Sequence, residues 1–430
     1  MVSLASLFGR DASVLYNRSF QLLLLTNLTP PLGVALISPL LNTLTGPFAV
    51  SGAKIGLLVT AFSAPSIVSI PLVGSLADRY GRKPVLVTGL LVFGVAGAAV
   101  GLTTDFHTAL VFRFVQGIGF AGLTPVIVTS TGDLFQDSAE ATAQGIRFAT
   151  SGVTMMVFPL VAGALVAIAW QLPFFLYGIS IPIALVLLLF LDEPHTRAAS
   201  KDTTEQPNFR DLIAYLDTQI TALLIARAVP NAFYTAFLTY NSLVIVRVLD
   251  GSPGQAGLLV ATASLAHTVA ATQSGRMTAY FSTRFQPLLG ATLGMSVGLL
   301  FVGVAPSYPV VVLGSALVGF GFGTTLSLYR SVITSISETL RAGLVSIGSA
   351  LGRVGSTFTP VLIGGGISRL SPLVGTTGAI KTAIVLLSIV GEQSPSFVCS
   401  FLTFMAILTA TWESIAEYSH KYETGHLAGH

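Results

Sequence analysis

The stretch Gly74-Ser-Leu-Ala-Asp78-Arg79-Tyr-Gly81-Arg82-Lys83-Pro84 gathers one carboxylate, three cations and two glycines into a short connection. Two glycines permit a tight turn and close approach of neighbouring helices. Asp78 can face the positive end of a helix, and Arg82 can reach a neighbouring carboxylate. The arrangement reads as a latch between helices; the plainer alternative is a solvated turn whose charges only set topology.

A second set of charges stands inside apolar runs, where ionised groups are expensive and face protein or water. Arg113, Arg147, Arg227 and Arg353 form this set. Helical spacing extends it into polar stripes: Arg113, Gln116 and Thr124; Arg227, Asn231, Tyr234 and Asn241; and Ser346, Ser349, Arg353, Ser356 and Pro360. With Asn27 in the first run, these are the candidate cavity-lining residues. Arg147 and Arg227 lie near helix ends and can snorkel to the headgroups. Arg353 is deeper, roughly 15 Å into a helix that starts near 343, at about 1.5 Å per residue.

The apolar runs hold no mid-span Asp or Glu. Uncompensated arginines there would suit an anionic substrate. For a proton carrier the candidates are His267, whose side chain titrates near pH 6.5 when unperturbed, and Asp78 and Asp133 at the rim. A lone histidine in an apolar helix is more often a hydrogen-bonded structural residue.

These residues need elements to hold them, and the composition says which. The chain is 52% hydrophobic and only 9% charged, with a mean hydropathy of +0.80. An ordinary soluble domain carries roughly a quarter charged residues. Apolar runs of about 20 residues, enough to cross a bilayer core, fall near 20–43, 55–76, 84–103, 108–131, 145–168, 172–191, 219–246, 256–275, 286–304, 309–329 and 343–367. A twelfth is split between 377–391 and 397–411 by a Glu392-Gln-Ser-Pro break. The runs lack the alternation of a membrane barrel and suit helices that satisfy their own backbone, so the expected fold class is an all-α membrane protein.

The first run is longer than the apolar region of a signal peptide and has no small-residue cleavage site after it, so it is expected to stay as a span. The single cysteine, Cys399, excludes an internal disulfide framework and a cysteine-based metal cluster.

Arg10, Arg18, Arg79, Arg82, Lys83, Arg197, Lys201, Arg210, Arg276, Arg284, Arg330 and Arg341 fall before the first span or after even-numbered ones, whereas Lys54, Arg247 and Arg369 lie on the opposite connections. That bias predicts an even number of spans with both termini in the cytoplasm. The net charge of +3 is dispersed at helix ends, which argues against nucleic acid as a partner.

The chain also repeats itself. Ser51-Gly-Ala-Lys-Ile-Gly56-Leu-Leu-Val59 matches Ser252-Pro-Gly-Gln-Ala-Gly257-Leu-Leu-Val260, and Ser63, Val68 and Gly74 continue at Ser264, Val269 and Gly275. Gly117-Ile-Gly119-Phe returns as Gly319-Phe-Gly321-Phe, and Pro159 with Gly163 as Pro360 with Gly364, all roughly 200 residues on. Two six-helix bundles are expected, over 19–191 and 219–411. A cytoplasmic segment (1–18), a central loop (192–218) and a polar tail (412–430) complete the chain. Parallel repeats of this type place a substrate site at their interface near mid-membrane and alternate access by rocking.

The loop motif, its position after the second span, the Arg113-Phe-Val-Gln116-Gly117-Ile-Gly119 run and the repeat together resemble the major facilitator superfamily, in particular its twelve-helix drug:proton antiporter-like branch. The resemblance covers the chain to about residue 370. It implies that Asp78 docks at the start of the eleventh helix, near Gly343, and that Arg82 pairs with an acid ending the fourth, Asp133. It also implies that the Arg113 motif belongs with proton coupling. Departures are visible: Phe158-Pro159-Leu-Val-Ala162-Gly163 keeps only part of the antiporter pattern, and Gly275-Arg276-Met-Thr-Ala-Tyr280-Phe-Ser-Thr-Arg284 lacks the aspartate.

The expected function is secondary transport of a small organic solute, with proton-coupled efflux of a drug or metabolite as the implied mode. Facilitated or symport uptake of a sugar or organic anion is the alternative. No bound cofactor or metal is expected, the proton gradient serving as driving force, and the family default is a monomer in the cell membrane. Gly117-Ile-Gly119-Phe-Ala-Gly122 satisfies a dinucleotide-binding pattern but lies inside an apolar span with no strand before it, so its glycines are expected to let helices pack closely. An ATP-driven pump would need a phosphate-binding G-x-x-x-x-G-K-[ST] loop, and none occurs. A membrane enzyme would need a catalytic cluster near a membrane surface, and none is visible. His420, His426 and His430 are scattered in the tail, and a receptor gains no support from duplicated halves.

Overall fold

The computed structural model describes residues 9–193, 224, 227–281, 285–336 and 341–392, and every regular element among them is helical. The central-loop cations Arg197, Lys201 and Arg210, the run 397–411 with Cys399, and the histidines of the tail lie outside the described residues.

The first run is not the continuous helix its length suggests. Helix α1 (Arg18–Thr26) ends at Asn27, and short turns over Leu32–Ala35, Ser38–Leu40 and Leu41–Leu44 carry the chain onward. Pro30, Pro31 and Pro39 explain the break, since each lacks the N–H a continuing helix needs.

The next helices are regular: α2 (Leu57–Tyr80), α3 (Arg82–Ala99), α4 (Phe106–Leu134), α5 (Asp137–Leu165) and α6 (Ser180–Phe190, entered through Leu172–Phe175). Asp105 caps α4, accepting from the Thr108 N–H at 2.7 Å. Thr108, through its side chain and its backbone, holds that exposed carboxyl below the ordinary carboxylate value. The second half follows as α7 (Ala228–Val248), α8 (Pro253–Tyr280), α9 (Phe285–Val304), α10 (Tyr308–Ile336) and the segment Arg341–Glu392. That segment is two helices, α11 (341–374) and α12 (376–392), which meet at Gly375 with φ 71° and ψ 166°. The left-handed φ favours a residue without Cβ. The stretch 377–391 therefore forms a helix, whose Ala379, Ile380, Ala383 and Ile384 are buried in the main core.

Eight segments among the described residues are long and apolar enough to cross a bilayer. Neither α1, which is short, nor α7 nor α8 is among them. Helix α7 is buried without interruption from Phe233 to Ile245, so protein and not lipid surrounds it, and Thr235, Tyr240 and Asn241 are accommodated there.

The repeat recurs as packing. A Cβ on Gly117 of α4 would strike the Phe62 carbonyl of α2, and one on Gly319 of α10 would strike the Ala263 carbonyl of α8. Gly119 sits against Gly89 and Phe93 of α3, as Gly321 sits against Ala291 and Met295 of α9. The same glycines do the same work in two six-helix bundles, bringing backbones closer than any side chain permits.

Candidate functional site

The two bundles meet along two antiparallel helix pairs, and the duplicated Gly and Pro positions mark the contacts. Between α5 and α8, a Cβ on Gly163 would meet Pro253 O at 2.8 Å and one on Gly257 would meet Pro159 O at 2.5 Å. Between α2 and α11, a Cβ on Gly56 would meet Pro360 at 3.2 Å, and Gly364 abuts the Ala53 carbonyl.

Both pairs stay together only part way. The α2–α11 pair continues through Thr60 Oγ1, which donates to Thr357 O at 3.0 Å, and Arg353, which donates to Ser66 Oγ at 3.2 Å. Two turns on, Gly74 meets nothing within 4 Å among the described residues, and the Asp78 side chain is 70% exposed. The α5–α8 pair behaves alike: Gly152 packs on Thr268, while Gly145 meets nothing within 4 Å among the described residues. Among the described residues the interface is shut at one face of the protein and parted at the face carrying the loop motif.

The shut face is sewn by hydrogen bonds between the broken first span and α7. Ser38 Oγ donates to Leu238 O, Asn241 Nδ2 donates to Ser38 Oγ (2.8 Å), and Ser242 Oγ donates to Pro39 O (2.8 Å). Arg247 closes the row, donating from Nε to Asn42 Oδ1 (2.6 Å) and from a terminal nitrogen to Thr45 Oγ1 (2.9 Å). Sequence reasoning set Arg247 aside as a stray charge on the sparsely charged side, and Asn42 and Ser38 gave no signal at all.

At the parted face, Gly81 (φ 100°) makes the turn between α2 and α3. Arg82 donates from Nε to Asp133 Oδ2 at 3.0 Å and from Nη1 to Thr129 Oγ1 at 2.6 Å, and it lies 3.5 Å from Asp78. Arg79 stands over the Tyr80 ring. Gly343 lies in the first turn of α11. Sequence reading missed Glu193. Its carboxylate accepts the N–H groups of Arg82 and Lys83, and it fills the space beside Gly81, where a Cβ would come within 2.6 Å. An acid directly after the sixth apolar run was the available sign.

The helix-4 arginine is wholly buried and points into its own bundle. Arg113 donates to Leu58 O (3.1 Å), Gly33 O (2.7 Å), Gln116 Oε1 (2.6 Å) and Tyr177 OH (3.4 Å), and stacks over Phe62 at 4.5 Å. It thereby ties α4 to α2, to the broken first span and to the approach to α6. Asn27 donates to the Arg147 carbonyl (2.8 Å) and Ser151 Oγ (2.7 Å).

The other expected cavity residues divide. Asn241 is fully buried in the sewn face, so in this conformation it lines no open space. Tyr234 is buried and stacked on Phe322 at 4.2 Å, with His267 5.2 Å from Phe322. That trio fills the packing between α7, α8 and α10. Asn231 packs beside Gly352 and donates to Arg227 O at 2.9 Å. Thr124, Ser349, Arg353 and Ser356 are half-buried. Only Arg353 of these reaches across the interface in a hydrogen bond, at the point where the bundles part.

Comparison with known proteins follows the same lines. Residues 23–246 match the family model described as Major Facilitator Superfamily. The chain is 27% identical to the 3-(3-hydroxy-phenyl)propionate transporter of Escherichia coli (strain K12), over 73% of this chain and 77% of that one. It is 24% identical to the class H tetracycline resistance protein of Pasteurella multocida, over 86% and 96%. Its fold superposes on the crystal structure of a bacterial homolog of the human lysosomal transporter Spinster, in an inward-facing and unoccupied conformation. That match has a TM-score of 0.75 and 20% identity, and covers 91% of this chain and 97% of the other.

Proposed function

Because the chain belongs to the Major Facilitator Superfamily, we propose that this multi-pass membrane transporter moves a small organic solute between its two bundles by alternating access, in proton-coupled exchange that exports the solute. The observation that carries the reading is the interface itself. It is sealed by the Ser38–Asn42 row at one face, parted beyond Ser66 and Arg353, and built from duplicated contacts that a rocking motion can exchange. With Arg79, Arg82, Lys83, Arg276 and Arg330 toward the parted face, that face is read as cytoplasmic and the protein as sitting in the cell membrane open to the inside. The chemistry is movement and not bond-making.

Export is supported by the likeness to a tetracycline resistance protein. For the proton path, Asp133 held by Arg82 and the exposed Asp78 stand at the rim that must close when the transporter turns outward. Asp78 is the group placed to meet the start of α11 in that closed rim. A second reading, uptake of an organic anion, has its own support: the acids of the described residues all stand at span ends, and one relative is a transporter of 3-(3-hydroxy-phenyl)propionate.

Counterflow in proteoliposomes, with and without an imposed proton gradient, separates these readings. Exchange accelerated by an inward proton gradient, and abolished by Asp78→Asn in a normally inserted protein, is the expected result. Gradient-independent counterflow unaffected by Asp78→Asn would replace antiport by facilitation.

A further inference from the structure

Resting on the transport reading, we infer that Arg353 is the anchor for the carboxylate of an organic anion, which takes the guanidinium from Ser66 and so dissolves the mid-membrane bridge between the bundles. Two arginines inside the spans make the case by contrast. The guanidinium of Arg113 is committed to four oxygens of its own bundle. That of Arg353 meets, among the described residues, a single hydroxyl, Ser66 Oγ at 3.2 Å, and the face of Phe120 at 5.8 Å. Among the described residues no carboxylate pairs with it.

A cation withdrawn from water without an anion is costly, and a planar fork of N–H donors matches a carboxylate better than any other common group. Its position fits a ligand site, because Arg353 stands half-buried where α2 and α11 separate. Phe120 of α4 supplies an apolar wall from the opposite bundle.

The Ser66 contact is dispensable for Ser66. Its hydroxyl also donates to Ser63 O at 2.6 Å, so surrendering the guanidinium leaves no orphaned donor. A carboxylate can then occupy Arg353 through two parallel hydrogen bonds and separate α2 from α11 at the last polar bond that joins them among the described residues.

The test uses purified full-length protein and a panel of carboxylates (benzoate, 3-phenylpropionate, hexanoate and citrate), each beside its neutral amide. Binding is read as a concentration-dependent rise in melting temperature. At least one carboxylate should stabilise the wild type while its amide does not. Arg353→Gln should weaken that binding about 10- to 100-fold, the worth of hydrogen bonds to a charged group. Arg353→Lys should recover part of the loss, and Ser66→Ala should bind as well as the wild type or better.

Should Arg353→Gln fail to fold, as judged by its unliganded melting, Arg353→Lys and Ser66→Ala carry the test. The inference is overturned if no carboxylate stabilises the wild type, if acid and amide act alike, or if replacing Arg353 leaves binding unchanged. Counterflow of the selected carboxylate keeps the transport reading separate. Charge-selective binding without counterflow sinks transport and leaves the anchor, whereas counterflow blind to charge does the reverse.

Discussion

Replacing Arg247 with alanine should tilt the protein toward the state open on its sewn face. Arg247 supplies the last two bonds of the row, at 2.6 Å to Asn42 and 2.9 Å to Thr45. It is half-exposed, so each bond contributes about 0.5–1.5 kcal/mol net and not the larger value of a dry charged pair. Their loss removes about 1–3 kcal/mol from this conformation, a shift of about 5- to 150-fold in the equilibrium between states. The state open on the sewn face breaks these bonds anyway and does not feel the substitution.

A reporter is available at Thr239, which is fully buried in α7 with Gly56 of α2 against its methyl group. In a Cys399→Ser background, Thr239→Cys should react slowly with a membrane-impermeant maleimide applied from the sewn side. Arg247→Ala should accelerate that reaction by the same factor. An unchanged or slower rate would show that the row does not hold the face shut, and the reasoning from its geometry would fall.

Two further outcomes follow from the packing. Gly319→Ala drives a methyl group into the Ala263 carbonyl, whereas Gly290→Ala enters open space; the first should lose about 1–3 kcal/mol of stability and the second almost nothing, read as melting temperature in detergent. Glu193→Ala removes the acceptor for the first N–H groups of α3 and should cost about 0.5–2 kcal/mol, seen as earlier melting and faster hydrogen exchange at Arg82 and Lys83, while Glu193→Gln retains part of the cap.

Much of this protein is legible in one dimension because lipid imposes a simple rule. A segment that crosses it must be apolar for about 20 residues and must satisfy its own backbone, so spans show as runs. A duplicated bundle shows as repeated letters. The blocks around Gly56 and Gly257, and around Pro159 and Pro360, are the residues through which the two halves touch. Their spacing announced the repeat, and close backbone packing is what leaves glycine and proline in both copies.

Other features are settled only by folding. Hydropathy averages over the Pro30-Pro31 pair and so hides the break in the first span, which presents the Ser38 and Pro39 oxygens to α7. Arg113 and Arg353 look alike in sequence, each a cation in an apolar run. One is enclosed by carbonyls of its own bundle and the other stands at the seam between bundles, because which face of a helix meets a partner depends on distant chain segments. Sequence also carries no sign of which end of the interface is shut. That is a property of one conformation among those the same residues can adopt, fixed by contacts such as Arg247 with Asn42, 205 positions apart in the chain.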